Sequence, residues 1–313
     1  MILVTGATGF IGKQLCLYAA TKGVQVRKAL RSSVSDLNSI VVGELGPEIA
    51  WSQALRDIDV VVHLAARVHV MHETITDPLT EFRRINVDTT LNLARQAVDA
   101  GMRRFIFISS IKVNGEGTPL NQPYTADDVS SPLDLYGISK HEAELELMKI
   151  AAETGLEVVI IRPVLVYGPG VKANFLSMMQ WLYKGIPLPL GAIHNKRSLV
   201  ALDNLVDLIV TCIDHPAAAN QTFLVSDGED LSTTELLQRM AVALGKPARL
   251  LPVPAWLLKS GAALVGKGNM AQRLLGSLQV DIRKTREVLG WSPPVSVDEA
   301  LQRTAEDFLA KMG

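Results

Sequence analysis

Cysteine is nearly absent from this chain: Cys16 and Cys212 are the only two, and each sits inside an apolar stretch. Two distant thiols in such surroundings read as buried side chains rather than a disulfide framework. No Cys/His cluster has the spacing of a zinc site, so no metal is expected. Neither sign of charge is in surplus, with Lys+Arg at 31 and Asp+Glu at 32. A nucleic-acid binder needs a basic excess to neutralise phosphates, and that excess is missing. Charge runs that would read as tails are missing too.

Long apolar runs are also lacking. The stretch from Val253 to Val265 contains Lys259 and falls short of the ~20 residues that a spanning helix needs. Two readings stand for Pro252–Gly266, which carries Trp256, Leu257, Leu258 and Leu264. It is either a helix covering a pocket or packing face, which is the expectation, or a helix resting on a membrane. The chain opens directly on Met1-Ile2-Leu3-Val4 with no basic region or cleavage site before it. No secretory signal is read there, and a cytoplasmic location is expected.

What is present is an ordinary globular composition, 48% hydrophobic and 20% charged over 313 residues. That allows one large core or a main core with a satellite. Short β-branched runs alternate with longer amphipathic stretches through the first two thirds. Strands are expected at 2–5, 25–30, 39–42, 60–64, 105–109 and 157–162, with helices at 13–22, 80–100 and 139–154. Runs such as Val60-Val61-Val62 with no polar alternation suit strands covered on both faces. The expected fold is therefore α/β, a doubly wound parallel Rossmann sheet with a smaller C-terminal substrate-binding domain. Gly168-Pro169-Gly170 and Pro187/Pro189 mark a change of texture. The dinucleotide-binding part is placed at 1–165 plus about 199–218, and the smaller part at about 166–198 and 219–313.

Gly6-Ala7-Thr8-Gly9-Phe10-Ile11-Gly12 follows the first strand and opens the first helix. A tight turn, a close approach to pyrophosphate and close helix–sheet packing each ask for glycine. The helix N-terminus then offers free N–H groups to phosphate. At the end of the second strand an acid would favour NAD and an arginine would favour NADP. Arg31 stands there, followed by Ser32 and Ser33, with no carboxylate until Asp36. NADP is preferred on this ground, with NAD as the alternative.

The G-x-x-G-x-x-G spacing, with Tyr136-Gly137-Ile138-Ser139-Lys140 further on, resembles the extended branch of the short-chain dehydrogenase/reductase superfamily. The resemblance implies that Tyr136 is the catalytic acid/base and that Lys140 binds the nicotinamide ribose. Tyr136 and Lys140, one helical turn apart, share a face, and a nearby ammonium is expected to lower the phenol's pKa. Aligned on the family's S-S-x-x-V-Y-G element, Ser110 takes the catalytic Ser/Thr position. Glu44 and Leu45 then lie against adenine, Leu64-Ala65-Ala66 beside the cofactor, and Pro163 and Val166 at the nicotinamide. Asn86 matches an asparagine that braces the central strand. Asn174 and Arg197 match residues that hold the substrate's phosphates, with Arg273, Arg67 and Lys112 as further substrate-side candidates. Where the family's dehydratases carry an Asp-Glu pair, this chain has Ile111 and Lys112, which speaks against 4,6-dehydration. Asn114 replaces the tyrosine of V-Y-G and is expected on the substrate wall.

The resemblance runs to Leu289-Gly290-Trp291-Ser292-Pro293, typical of nucleotide-sugar epimerases and reductases. The segments 63–71 and 109–116 resemble enzymes of bacterial surface polysaccharides such as O-antigen. Those act at carbon 4 of UDP-linked N-acetyl-hexosamines or their 4-keto-6-deoxy derivatives. The first expectation is an NADPH-dependent 4-ketoreductase. The second is a 4-epimerase with retained NAD, and a third, remote one is a non-catalytic NADP-binding scaffold. The family also implies a homodimer through the helices near 80–100 and 139–154.

Overall fold

The computed structural model describes residues 1–32, 38–68, 77–264 and 268–312. Ser33, Asp36, the 69–71 part of the polysaccharide-enzyme resemblance and residues 265–266 of the apolar segment lie outside the described residues. So does the side chain of Arg273.

Seven strands form one parallel sheet: β1 Ile2–Thr5, β2 Val26–Leu30, β3 Ser39–Val41, β4 Val60–His63, β5 Arg104–Ile108, β6 Glu157–Pro163 and β9 Gln221–Val225, in the order β3-β2-β1-β4-β5-β6-β9. Side chains alternate between its faces. Ile2 and Val4 therefore enter a core shared with α1 (Phe10–Thr21) and α6 (Leu202–Asp214), while Leu3 enters the opposite core under α3 (Thr89–Asp99) and α4 (Leu135–Thr154). Covering on both faces is the reason these strands are apolar throughout.

Within the segment read from sequence as one helix, 80–100, the chain forms α2 (Pro78–Arg83), a π turn (Arg84–Asp88) and α3. The widened turn buries Ile85, Asn86 and Val87 in succession, an arrangement that a 3.6-residue period does not provide. No periodicity in the sequence announces it.

A second, three-stranded sheet has the order β10-β8-β7, from β7 Leu165–Tyr167, β8 Arg197–Ala201 and β10 Asp230–Leu231. It packs with α5 (Ala173–Tyr183), α7 (Thr233–Ala243) and α11 (Val297–Ala310) around Phe175, Met179, Leu237 and Phe308. Two placements differ from the sequence expectation. β9, assigned to the smaller part, pairs in parallel with β6 in the main sheet. The boundary at about 199 falls inside β8, whose Leu199 and Ala201 enter the second core while Val200 enters the first. A strand serving two cores carries no composition signal of a boundary. α6 does flank the main sheet, tied to α1 by Gln14–Asp203 and Tyr18–Asp207 hydrogen bonds.

Candidate active site

The C-terminal edge of the main sheet gathers most of the residues singled out from sequence. Gly6 adopts φ +68, and a Cβ there would lie 2.9 Å from the Ala65 amide nitrogen. The glycine turn and the Leu64-Ala65-Ala66 turn are thus in direct contact. A Cβ at Gly12 would come within 2.2 Å of the Gly6 carbonyl oxygen, so α1 can start this close to the turn only with glycine there. Gly9 is the N-cap of α1; it carries no side chain to cap the helix, and the first turn holds no acid. Thr8 and Gly9 are exposed, with Phe10 and Ile11 partly so. The first amides of α1 are therefore available to an anion.

At the other end of that edge, Arg31 follows β2 and Glu44 follows β3. The two approach at 3.8 Å with the arginine side chain 70% exposed. Leu45 packs against the core behind them.

Catalytic candidates converge past β5. Ser110 caps a short 3₁₀ turn, Ile111–Val113, its hydroxyl accepting from the Lys112 amide at 3.3 Å. Parallel register pairs Ile108 with Ile161, which brings Pro163 level with Ser110. Val166 lies half-buried on β7. Lys140 is fully buried; its ammonium donates to the Ile108 carbonyl at 2.8 Å, 4.2 Å from the Phe107 ring centroid and 5.9 Å from that of Tyr136. Desolvation pushes the amine down to about 7, opposed by Glu144. Tyr136 moves the other way from the sequence expectation. Burial, with Asp134 nearby, holds its phenol above the usual value. Desolvation is the larger of these two causes.

Beneath this edge runs a directed hydrogen-bond chain that the sequence did not reveal. The Ala65 amide donates to Thr5 Oγ1 (3.3 Å), which contacts His63 Nδ1 (2.8 Å); His63 Nε2 contacts Thr90 Oγ1 (3.0 Å), which donates to the Asn86 carbonyl (2.8 Å). Thr90 spends its one proton on Asn86, so His63 must donate from Nε2 and accept at Nδ1. Burial and Lys140 lower the imidazole to about 3, keeping it neutral. Asn86 continues the chain to the backbone of Arg67 on both sides (2.8 and 3.0 Å) and to Ser139 Oγ (3.0 Å), which donates to the Tyr136 carbonyl (2.9 Å). Asn86 therefore braces the loop after β4 against the catalytic helix rather than the central strand itself.

Two substrate-side expectations are corrected, at Lys112 and Asn114. Lys112 forms an ion pair with Asp134, the residue that caps α4. Asn114 is interior: its amide oxygen accepts from Arg162 Nη1 at 2.9 Å, and its amide donates to the Thr125 carbonyl. It forms no part of a wall; it belongs to a buried cluster in which Glu144 accepts three hydrogen bonds from Arg162. Asn174, at the start of α5, is exposed. Arg197 Nη1 donates to the Gly276 carbonyl at 3.1 Å. Arg67 lies over the Phe82 ring at 5.7 Å, and Phe82 meets Tyr136 edge-on at 6.5 Å.

The glycine turn, an uncapped helix start, a buried amine and, next to Ser110, a buried Ser109 hydroxyl with no protein partner together fit a dinucleotide laid across this edge. Residues 2–226 match the model of the NAD dependent epimerase/dehydratase family. The chain belongs to that family. It is an NAD(P)-dependent short-chain dehydrogenase/reductase, and its catalytic candidates all fall inside the matched span. Over 98% of its length it is 52% identical to a protein of Vibrio cholerae named UDP-glucose 4-epimerase, 95% of which is covered. Among solved structures it is similar to MoeE5 in complex with UDP-glucuronic acid and NAD, with TM-score 0.79, 25% identity and 99% of each chain covered. It also shares the fold of UDP-N-acetylglucosamine 4-epimerase from Bacillus cereus, with TM-score 0.80 and 22% identity over 100% of this chain and 99% of that one. Among the described residues no cluster of His, Cys, Asp or Glu suits a metal ion.

Proposed function

We propose that this family member moves hydride at carbon 4 of a UDP-linked hexose and that its reaction is 4-epimerisation. The observation that carries the reading is the buried Lys140 beside Tyr136 at the end of β5. It stands in a chain alike almost end to end to a protein named UDP-glucose 4-epimerase. A nicotinamide bound across this edge supplies the hydride acceptor and donor. In its phenolate form Tyr136 takes the proton of the carbon-4 hydroxyl during oxidation, and as the phenol so formed it returns the proton during reduction, with Ser110 hydrogen-bonding the same oxygen. Lys140 holds the nicotinamide ribose hydroxyls with the donors that Ile108 does not use. Gly6, Gly9 and the first turn of α1 hold the pyrophosphate. On the substrate side Arg197 and Asn174, with Arg67, are assigned to the sugar nucleotide, and Arg273 keeps that assignment from sequence alone. Lys112 acts one step removed, by fixing Asp134 at the start of the catalytic helix.

A second reading, 4-ketoreduction with NADPH, is favoured by Arg31: an exposed guanidinium at the end of β2 suits a 2′-phosphate. Incubation with UDP-glucose and UDP-N-acetylglucosamine without added nicotinamide separates the two. Epimer formed over many turnovers supports the first. Turnover of a 4-keto sugar only with stoichiometric NADPH establishes the second. Inertness toward UDP-sugars under both conditions overturns the substrate assignment. The division into a dinucleotide-binding part and a substrate part is proposed with it. So is a homodimer through α3 and α4, where Leu145 stands exposed; light scattering reads the mass.

A further inference from the structure

Charge is balanced over the whole chain but not along it. From Leu236 to Val280 there is no Asp or Glu, while Arg239, Lys246, Arg249, Lys259, Lys267 and Arg273 fall in that stretch. Arg239 turns back to Glu229 and Asp298. Lys246, Arg249 and Lys259 are exposed. Within the same stretch lies α8, Ala255–Leu264, with the sequence AWLLKSGAAL. Among its described side chains only Ala255 and Leu258 pack on the second core. Trp256 is 68% exposed and Leu264 88%, and Leu257 and the preceding Leu251 are about half exposed. Of the four apolar residues singled out in this segment from sequence, Leu258 packs as a helix covering a packing face would have it, while Trp256, Leu257 and Leu264 stand exposed. No helix among the described residues is long and apolar enough to cross a membrane, and ten residues of helix reach only about 15 Å.

We infer that α8 and the loop before it form a docking surface for an anionic phospholipid bilayer, lying in the headgroup plane. Large apolar side chains carried on a short helix, in a stretch of sequence that holds cations and no Asp or Glu, are the two components of interfacial binding. Trp256 suits the boundary, with its apolar ring and one polar N–H. A second copy of this chain is the less suitable occupant. Pairing this face about a two-fold axis would set Lys259 and Arg249 against cations of the same stretch, with no carboxylate there to answer them. Nucleic acid would satisfy the cations but leave Leu257 and Leu264 in water. The inference is independent of which sugar is turned over, since Trp256, Leu257, Leu264, Arg249 and Lys259, on which its test rests, are assigned to neither catalysis, cofactor nor substrate.

The test is co-sedimentation of the full chain with vesicles of phosphatidylglycerol and phosphatidylethanolamine, against vesicles of phosphatidylcholine alone. Binding is expected to the anionic vesicles only, with a blue shift of tryptophan emission that Trp256→Phe removes. It should weaken at least about tenfold when salt is raised to about 0.5 M, where the screening length falls to a few ångströms. Leu257→Ser/Leu264→Ser and, separately, Arg249→Glu/Lys259→Glu should each lower binding at least about tenfold, while turnover of a soluble UDP-sugar stays at the wild-type rate as the control for folding. Absence of binding to anionic vesicles at low salt overturns the inference, as does equal binding to neutral ones. Undiminished binding by both double variants does so too. A dimer that Leu257→Ser/Leu264→Ser splits, with no vesicle binding by the parent, assigns the face to self-association instead.

Discussion

The two ends of the reaction site are built differently. Behind the cofactor and catalytic side lies a connected polar network: His63, Thr90, Asn86 and Ser139 form one buried chain, and Lys140 is anchored to Ile108. On the substrate side Asn174 is exposed at the start of a helix, and Arg197 leans on a backbone carbonyl. The framework of the catalytic half is held by hydrogen bonds within the chain. Arrangement of that kind lowers the reorganisation needed at the moment of hydride transfer. Under the proposed function the substrate half takes its final geometry with the sugar nucleotide, so its contacts are expected to set affinity more than rate.

The contrast can be broken most strongly at Tyr136. Tyr136→Phe should lower kcat by about 10³-fold, within the range for loss of a general acid/base, while dinucleotide binding measured by calorimetry is retained. Retained turnover would remove the phenol from the mechanism.

Next in size is the buried pair behind the site. Glu144→Ala leaves the Arg162 guanidinium interior without its carboxylate and should cost about 3–5 kcal/mol in urea unfolding. A loss under about 1 kcal/mol would show that the cluster is reached by water.

The pH dependence of stability gives a smaller effect and a definite sign. Lys140 titrates at about 7 when folded and 10.5 otherwise. Between those values the unfolded chain binds more protons, so stability of the cofactor-free protein should rise with pH across that window. Lys140→Met should flatten the rise. His63 acts in the same sense lower down: its value falls from 6.5 to about 3, so stability is lost as pH drops through that interval. His63→Gln should reduce this acid sensitivity. A slope of opposite sign in either window would contradict the burial of these groups.

The smallest change is expected from the loose side. Arg197→Ala should raise KM for the UDP-sugar by about tenfold, near the value of one charge-assisted hydrogen bond, with kcat within about twofold. An equal fall in kcat would mean that this half, too, is organised for the transition state.

Much of the fold was legible because its signals are local. Unbroken apolar strands such as Val60–His63 lie within a residue or two of their expected bounds, as their double covering requires. Glycine positions 6, 9 and 12 and the Tyr136/Lys140 spacing pointed to residues that the structure brings to one sheet edge. Asn114 and Lys112 were misread because their roles depend on partners far along the chain, Arg162 and Asp134, which no spacing reveals. The π turn at Arg84–Asp88 was hidden for a related reason: it is stabilised by what it buries, not by residue preference.

By itself the sequence determined the parallel sheet, the glycine turn and the phenol–amine pair, since backbone sterics and side-chain periodicity act over a few residues. Only the tertiary structure decided which way burial moves Tyr136 and Lys140, which residues share the chain through His63, and that Trp256 and Leu264 face outward. Those outcomes depend on desolvation and on contacts between segments remote in sequence, which exist only once the chain has closed on itself.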